Sequence, residues 1–287
     1  MNVLITGVNG FVGGHLFSKL KSPENKIYGL GREPSSAHAL EGYFSVDITK
    51  KFELDQEFDV VIHLAALNRT TIGADIDSNI FHQVNVEGTK NLIHACSFSK
   101  FIYISTAAVY ERECETITED SPIAPVGNYA KTKYEAELLC QRLIPSNKLM
   151  ILRPVNITGA GQKNIAAVPL FFERAKNHEA LELSVSGHKI IQLLAVSDFT
   201  QAISQCLGFL GNGIFNLAPE DSMTMFQLVN KILKLCDSKS LLLTREEKEE
   251  IPSLINANKA RQQLSFQPAK TMNDILEDYY ESQKGGR

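Results

Sequence analysis

At 287 residues, with 44% hydrophobic and 22% charged side chains, the chain can bury one large core or a core plus a smaller lobe, which excludes disorder. A formal net charge of −4 supplies no broad basic field, so nucleic acid and anionic membrane are disfavoured as partners and any anion site has to be local. The five cysteines (Cys96, Cys114, Cys140, Cys206 and Cys236) include no C-x-x-C pair and read as buried small hydrophobes in a reducing compartment; no metal site is expected.

No leader precedes the first apolar run, and no run nears the ~18 residues of a membrane helix, so a soluble, cytoplasmic protein is expected. That first run, Val3-Leu4-Ile5, leads straight into Gly7-Val8-Asn9-Gly10-Phe11-Val12-Gly13 and a helical pattern over 11–20. Glycines permit a tight strand-to-helix turn, let backbone approach a pyrophosphate and let the helix pack closely on the strand. The helix N-terminus then offers unpaired N–H groups and a partial positive charge. In this context the G-x-x-G-x-x-G spacing predicts a dinucleotide site.

Further apolar runs at 26–30, 43–46, 60–62, 101–104 and 149–152 read as short buried strands, and 80–96 and 129–143 as helices. Continuous rather than alternating apolar strands imply burial on both faces, hence a parallel sheet covered by helices. The expected class is α/β, a Rossmann doubly wound parallel sheet with a smaller C-terminal substrate-binding lobe. Strands near 190–196 and 213–217 and helices over 225–236 and 271–280 follow. Residues 1–155 form the expected dinucleotide-binding domain, about 190–220 return to it, and 156–287 are mainly lobe. A cleft should lie at the C-terminal edge of the sheet.

Tyr129 and Lys133 stand four residues apart in a helical pattern, on one face. Bringing a phenol from pH ~10 to neutrality takes about 4 kcal/mol, and one cation ~4 Å away at an effective dielectric of ~20 supplies about that much. Tyr280 and Lys284 repeat the spacing beyond the sheet and are given no role. What sets Tyr129 apart is its helix, which follows the strand at 101–104 and that strand's terminal hydroxyls, Ser105-Thr106.

Gly7 to Gly13, Asp47-Ile48, His63-Leu64-Ala65-Ala66, Asn85-Val86-Glu87-Gly88-Thr89, Ser105-Thr106-Ala107-Ala108-Val109-Tyr110 and Tyr129 to Lys133 occur in this order. With them the chain resembles an extended short-chain dehydrogenase/reductase of the NAD-dependent epimerase/dehydratase family. The resemblance covers residues 1 to about 160 and extends through Val196-Ser197-Asp198 and 214–217. It implies a seven-stranded Rossmann domain with Tyr129 as general acid/base. Lys133 would lower its pKa and hold the nicotinamide ribose, and Thr106 would hydrogen-bond the reacting oxygen, with Ser105 as its fallback. Gly7, Gly10, Phe11, Val12 and Gly13 would face the cofactor phosphates, Asp47 and Ile48 the adenine, and Leu64, Ala65 and Ala66 the pyrophosphate. Asn85 matches a structural, cofactor-side position. Asp47 as a turn cap and Asn85 as a helix cap are the structural alternatives. Asn156 and Asn164 are candidate substrate contacts, and relatives pair the two long helices into a homodimer.

An acid closing the second strand binds the adenosine ribose and repels a 2′-phosphate. Here that position falls at Gly31, with Arg32 beside it to pair with a phosphate, so NADP is preferred over NAD. Members of the family that remove water carry Asp-Glu after the catalytic threonine, where this chain has Ala107-Ala108, which argues against a 4,6-dehydratase. The main expectation is reduction of a 4-keto nucleotide sugar, with sugar-nucleotide 4-epimerisation as the alternative. A cofactor-sensing binding protein without turnover is the third reading, opposed by the intact Thr106, Tyr129 and Lys133. Ile191 replaces the arginine that relatives use for the substrate diphosphate, with Lys189 or Arg261 as substitutes.

Overall fold

The computed structural model describes residues 1–68, 78–111, 114–162, 166–183, 187–244 and 253–284. Seven strands, β1 (Asn2–Thr6), β2 (Lys26–Gly31), β3 (Gly42–Ser45), β4 (Phe58–His63), β5 (Phe98–Ile104), β6 (Leu149–Pro154) and β7 (Gly213–Leu217), build one parallel sheet. Their order is β7-β6-β5-β4-β1-β2-β3. Successive strand residues serve opposite faces, which is why the runs are apolar without alternation. Val3, Ile5, Val60, Ile62, Ile102 and Met150 pack on one side, against Leu16 and Phe17 of α1 (Phe11–Leu20) and Phe199 and Ile203 of a later helix. Leu4, Val61, Phe101, Tyr103 and Ile151 pack on the other, against Leu92, Ala136 and Cys140. The order reverses between β1 and β4, the place where ligands bind in such sheets.

The helix expected over 80–96 is a composite. It begins as α2 (Ser78–His82), widens into a π-helical turn at Gln83–Glu87, and resumes as α3 (Gly88–Ala95). The next, α4 (Gly127–Leu143), starts two residues before Tyr129 at a glycine with φ +79°. After it come α5 (Ala167–Lys176), α6 (Val196–Gly208), α7 (Met225–Leu235), α8 (Asn258–Leu264) and α9 (Met272–Ser282). Reciprocal caps explain where two of them start: Thr224 with Gln227 opens α7, and Thr271 with Asp274 opens α9.

The strand expected over 190–196 is split into Ile190–Ile191 and Leu193–Ala195, neither in the main sheet. Between them the Gln192 side chain turns inward, donating to the Pro219 carbonyl (2.7 Å) and accepting from the Ile255 N–H (2.8 Å). Residues 213–217 supply the edge strand β7, and α6 packs on α1. A second core, with Phe172, Leu193, Leu228, Ile232, Leu276 and Tyr279, joins α5, α7 and α9.

A buried ion pair fastens α4 to the sheet. Arg153 of β6 reaches Glu137 with two hydrogen bonds (Nε to Oε1 3.0 Å, Nη2 to Oε2 2.5 Å) and donates a third to the Tyr110 hydroxyl (2.8 Å). Tyr110 donates its own hydroxyl proton to Asn216 Oδ1 of β7 (2.8 Å), so each side chain of this cluster has a partner.

Candidate active site

The glycine turn joins β1 to α1 beside the reversal of strand order. Gly7 takes φ +71°, and Gly10 N–H closes the turn on the Gly7 carbonyl (2.9 Å). A Cβ at Gly13 would stand 2.2 Å from that carbonyl, so only glycine lets α1 start this close to the turn. Gly10 makes no side-chain cap, and Phe11 and Val12 of the first turn are half-buried. The first-turn N–H groups thus have no side-chain cap, and a diphosphate fits them.

Beneath the turn the hydrogen-bond directions can be worked out one by one. The Thr89 hydroxyl donates to the Asn85 carbonyl (2.7 Å), so it accepts from His63 Nε2 (2.9 Å). His63 Nδ1 is then an acceptor and takes the Thr6 hydroxyl proton (2.7 Å), leaving Thr6 Oγ1 to accept the Ala65 N–H (3.0 Å). His63 is therefore the neutral Nε2–H tautomer. Burial, and after it the charge of Lys133, push its pKa down to about 3.

Asn85 sits on the π-helical turn, inside the helical run and not at its cap. Its amide accepts from Leu67 N–H (2.7 Å), donates to the Leu67 carbonyl (3.0 Å) and donates to Thr132 Oγ1 of α4 (3.0 Å). Leu64, Ala65 and Ala66 are thus held at one end by Thr6 and at the other by Asn85. Asn85 acts by positioning that loop. The sequence gives no role to Thr6, Thr89 or Thr132; a His followed by small residues at the end of β4 was the only signal for His63.

At the end of β2 the expectation of a basic pocket is corrected. A Cβ on Gly31 would meet the Tyr43 hydroxyl at 2.7 Å and Glu33 Oε2 at 2.9 Å, so a carboxylate from two residues onward fills the space that Gly31 leaves. Asn9 of the glycine turn reaches the same group (3.5 Å to Glu33 Oε2, 3.4 Å to the Tyr43 hydroxyl). Arg32 is exposed, and its charge helps to hold the Asp47 carboxyl below its usual range, after the larger effect of hydrogen bonds from Thr49. Asp47 does cap its own turn, accepting from Thr49 N (3.0 Å) and Oγ1 (2.8 Å). Ile48 is buried against Gly88, where a Cβ would stand 2.8 Å from it.

Thr106, Tyr129 and Lys133 gather at the C-terminal edge of β5. Thr106 Oγ1 accepts the Ala108 N–H (3.2 Å) and caps the short 3-10 turn Ala107–Val109. Burial pushes the Tyr129 phenol up to about 12, opposed by hydrogen bonding from Thr106. Lys133 is buried, its ammonium 4.1 Å from the centre of the Tyr103 ring. Burial brings its pKa down to about 7, against the pull of Cys140 and Glu137. The expected drop in the Tyr129 pKa is therefore not produced by the protein's own groups: desolvation dominates, and the Lys133 ammonium lies against another ring. Ser105 is buried, and its Oγ has no hydrogen-bond partner among the described residues.

On the substrate side, Asn156 is exposed at the start of the short strand Asn156–Thr158, and Asn164 lies outside the described residues. Ile191 pairs with Met223 in a two-stranded ribbon. Arg261 is engaged by Asn258 Oδ1 (3.0 Å), the Ala218 carbonyl (3.3 Å) and Glu220 (3.5 Å). Tyr280 and Lys284 stack on each other at the second core (4.3 Å). Among the described residues no cluster of His, Cys, Asp and Glu could hold a metal, and no helix is long and apolar enough to cross a membrane.

The sequence profile of the NAD dependent epimerase/dehydratase family matches residues 3–218. The chain is 25% identical over 306 residues, 96% of each protein, to an uncharacterized UDP-glucose epimerase, YtcB, of Bacillus subtilis (strain 168). It is 28% identical over 259 residues, 82% of each, to the low-salt glycan biosynthesis protein Agl12 of Haloferax volcanii. In structure it is similar to a UDP-glucuronic acid 4-epimerase from Bacillus cereus in complex with NAD, with a TM-score of 0.86, 22% identity, and coverage of 99% of this chain and 97% of that one.

The His63 relay has a measurable pH signature. With a folded pKa of about 3 and an unfolded value of 6.5, the unfolded chain binds the extra proton as pH falls below 6.5, so stability is full above that pH and is lost below it. The loss is about 1.4 kcal/mol per pH unit, or roughly 2 kcal/mol between pH 6.5 and 5.0. Urea unfolding should show this slope in the native chain and a flatter one in His63→Gln; equal slopes would remove His63 as its source.

Proposed function

Because the chain belongs to the NAD dependent epimerase/dehydratase family, we propose that it is an NAD-dependent 4-epimerase of a nucleotide-linked sugar, with Thr106, Tyr129 and Lys133 as its catalytic residues. One observation carries the choice of epimerase: Glu33 stands over Gly31, where it suits the ribose diol of NAD and opposes a 2′-phosphate. The reductase reading leaned on NADP, the cofactor of net reduction, and loses that support. An epimerase keeps NAD and recycles it. Ala107-Ala108 leaves no carboxylates next to Thr106 for an elimination, and the two UDP-sugar epimerases named above agree with the choice.

NAD, when bound, supplies the hydride acceptor and a positive nicotinamide ring. Gly7, Gly10, Phe11, Val12 and Gly13 would hold its diphosphate, Glu33 its adenosine ribose, and Asp47 with the Ile48 backbone its adenine. Leu64, Ala65 and Ala66 would cover the pyrophosphate on the Thr6 and Asn85 tethers. Since Thr106 Oγ1 already accepts from Ala108, its proton is free to be donated to the reacting oxygen or to Tyr129. Tyr129 would take the C4 hydroxyl proton in the oxidation and return it to the same oxygen in the reduction, once rotation of the ketone has turned the opposite face of C4 toward the cofactor. Moving its pKa from about 12 to near 7 takes about 7 kcal/mol. One cation ~4 Å away gives about 4 kcal/mol at an effective dielectric of ~20, so Lys133, whose ammonium rests against Tyr103, would not suffice alone and the positive charge of the bound nicotinamide would be needed as well.

A groove between the π-helical turn and α4, with Val86, Leu138 and Leu139 flanked by His82, Glu135 and Arg142, is the proposed homodimer face; Leu138 is 47% exposed there. Light scattering should give twice the chain mass, and 31.8 kDa would refute the pairing.

Purified protein with NAD and either UDP-glucose or UDP-glucuronic acid is expected to form the C4 epimer without accumulating NADH. Stoichiometric oxidation of NADPH with a 4-keto nucleotide sugar would instead favour the reductase. Tyr129→Phe should lower kcat by about 10²- to 10⁴-fold with NAD still bound, and unchanged turnover would overturn its role. Replacement Glu33→Gln should shift the NADP/NAD affinity ratio, read by calorimetry, toward NADP by about tenfold, or about 1.4 kcal/mol; an unmoved ratio would exclude Glu33 as the selector.

A further inference from the structure

The first turn of α1 does more than face the glycine turn. One turn below Phe11, His15 Nε2 lies 2.9 Å from the Ala160 carbonyl, a contact across 145 residues of sequence. A carbonyl only accepts, so His15 donates. Phe11 meets the His15 ring edge-on at 5.5 Å and reaches the same loop, its Cζ 3.7 Å from where a Cβ on Gly159 would stand. That Cβ would also lie 2.5 Å from Val196 Cγ1, so the loop enters this notch only as glycine.

The loop so gripped is a closed unit. Gln162 N–H donates to the Gly159 carbonyl (3.2 Å), Gln162 Nε2 donates to the Ile157 carbonyl (3.0 Å), and Gly161 takes φ +81°. It begins at Asn156, and its first residues pair with Leu193–Ala195. In the same turn, between Phe11 and His15, α1 is pressed on the glycine turn by the Gly13 contact. Whatever orders the turn therefore orders α1, and the side chains of α1 reach the loop.

We propose that Phe11 and His15 are positioning residues that couple the glycine turn to the loop 156–162, so that a bound dinucleotide stiffens the loop that carries Asn156. That the loop is substrate-facing rests on the function proposed above; the mechanical coupling does not. His15 acts through its hydrogen bond to Ala160.

Hydrogen–deuterium exchange of the full chain, with and without saturating NAD, separates the two. In the native protein NAD should slow exchange at 7–13 and also at 156–162, the latter by about fivefold, the lower end of typical site-to-site coupling. His15→Leu should keep the protection at 7–13 and lose it at 156–162, while His15→Gln, which retains a donor at similar reach, should restore it. Phe11→Leu gives a second lever, with partial loss, should His15→Leu fold poorly. Loop exchange indifferent to NAD in the native chain, or equal protection in native and His15→Leu protein, would overturn the proposal. In steady-state assays with UDP-glucose, His15→Leu should raise KM several-fold with kcat within about twofold. Loop protection that depends on His15, together with no turnover of any nucleotide sugar, would leave the coupling standing and remove the proposed activity.

Discussion

The His63 imidazole has one nitrogen to give and one to receive, and it sits where β1, β4 and the helix carrying Thr89 meet. Reversing any one bond in the run from Thr89 through His63 to Thr6 and Ala65 would leave a buried donor or acceptor without a partner, at about 1–3 kcal/mol. The run therefore has a single direction, and Ala65 is fixed against Gly7, where a Cβ would come 3.2 Å from the Ala65 nitrogen. Lys133 lies close enough to disfavour a charge on the imidazole. A neutral ring thus suits both the tethered loop and the buried lysine.

Arg153 and Glu137 make a second polar anchor, behind α4. Breaking a buried pair by removing one partner costs about 3–5 kcal/mol, because the other charge is stranded. Here the pair also holds Tyr110 and, through it, Asn216 of the edge strand. It fixes the rotation of α4 about its axis, which decides where Tyr129 and Lys133 point. The glutamate also acts on Lys133, supporting its positive charge against burial.

Much of this was legible from local pattern. Strands buried on both faces give unbroken apolar runs, and the glycine turn, Thr106, Tyr129 and Lys133 carry their chemistry in short spacings. What was hidden needed distances between residues remote in sequence. Counting to the end of β2 finds Gly31 and misses Glu33, because the chain bends back and brings the later carboxylate over the earlier glycine. A period of 3.6 does not register the π-helical turn that aims Asn85 at Leu67. The four-residue spacing puts Lys133 beside Tyr129 on one face but says nothing of the Tyr103 ring, offered by β5, that takes its ammonium. Gln192, a polar residue amid an apolar run, reads as a strand position until Ile255 and Pro219 are seen to need its amide.

The three-residue strand Leu193–Ala195 alternates between the two cores: Leu194 belongs to the core of the main sheet, while Leu193 and Ala195 belong to that of the C-terminal helices. It works as a rivet. Swinging the C-terminal helices away from the sheet would pull Leu194 from one core or Leu193 from the other, at about 1.5–3 kcal/mol for each large side chain exposed. The spacing of the two cores is thereby set when the chain folds, and rearrangements of the folded chain must run through displacements smaller than a parting of the two cores.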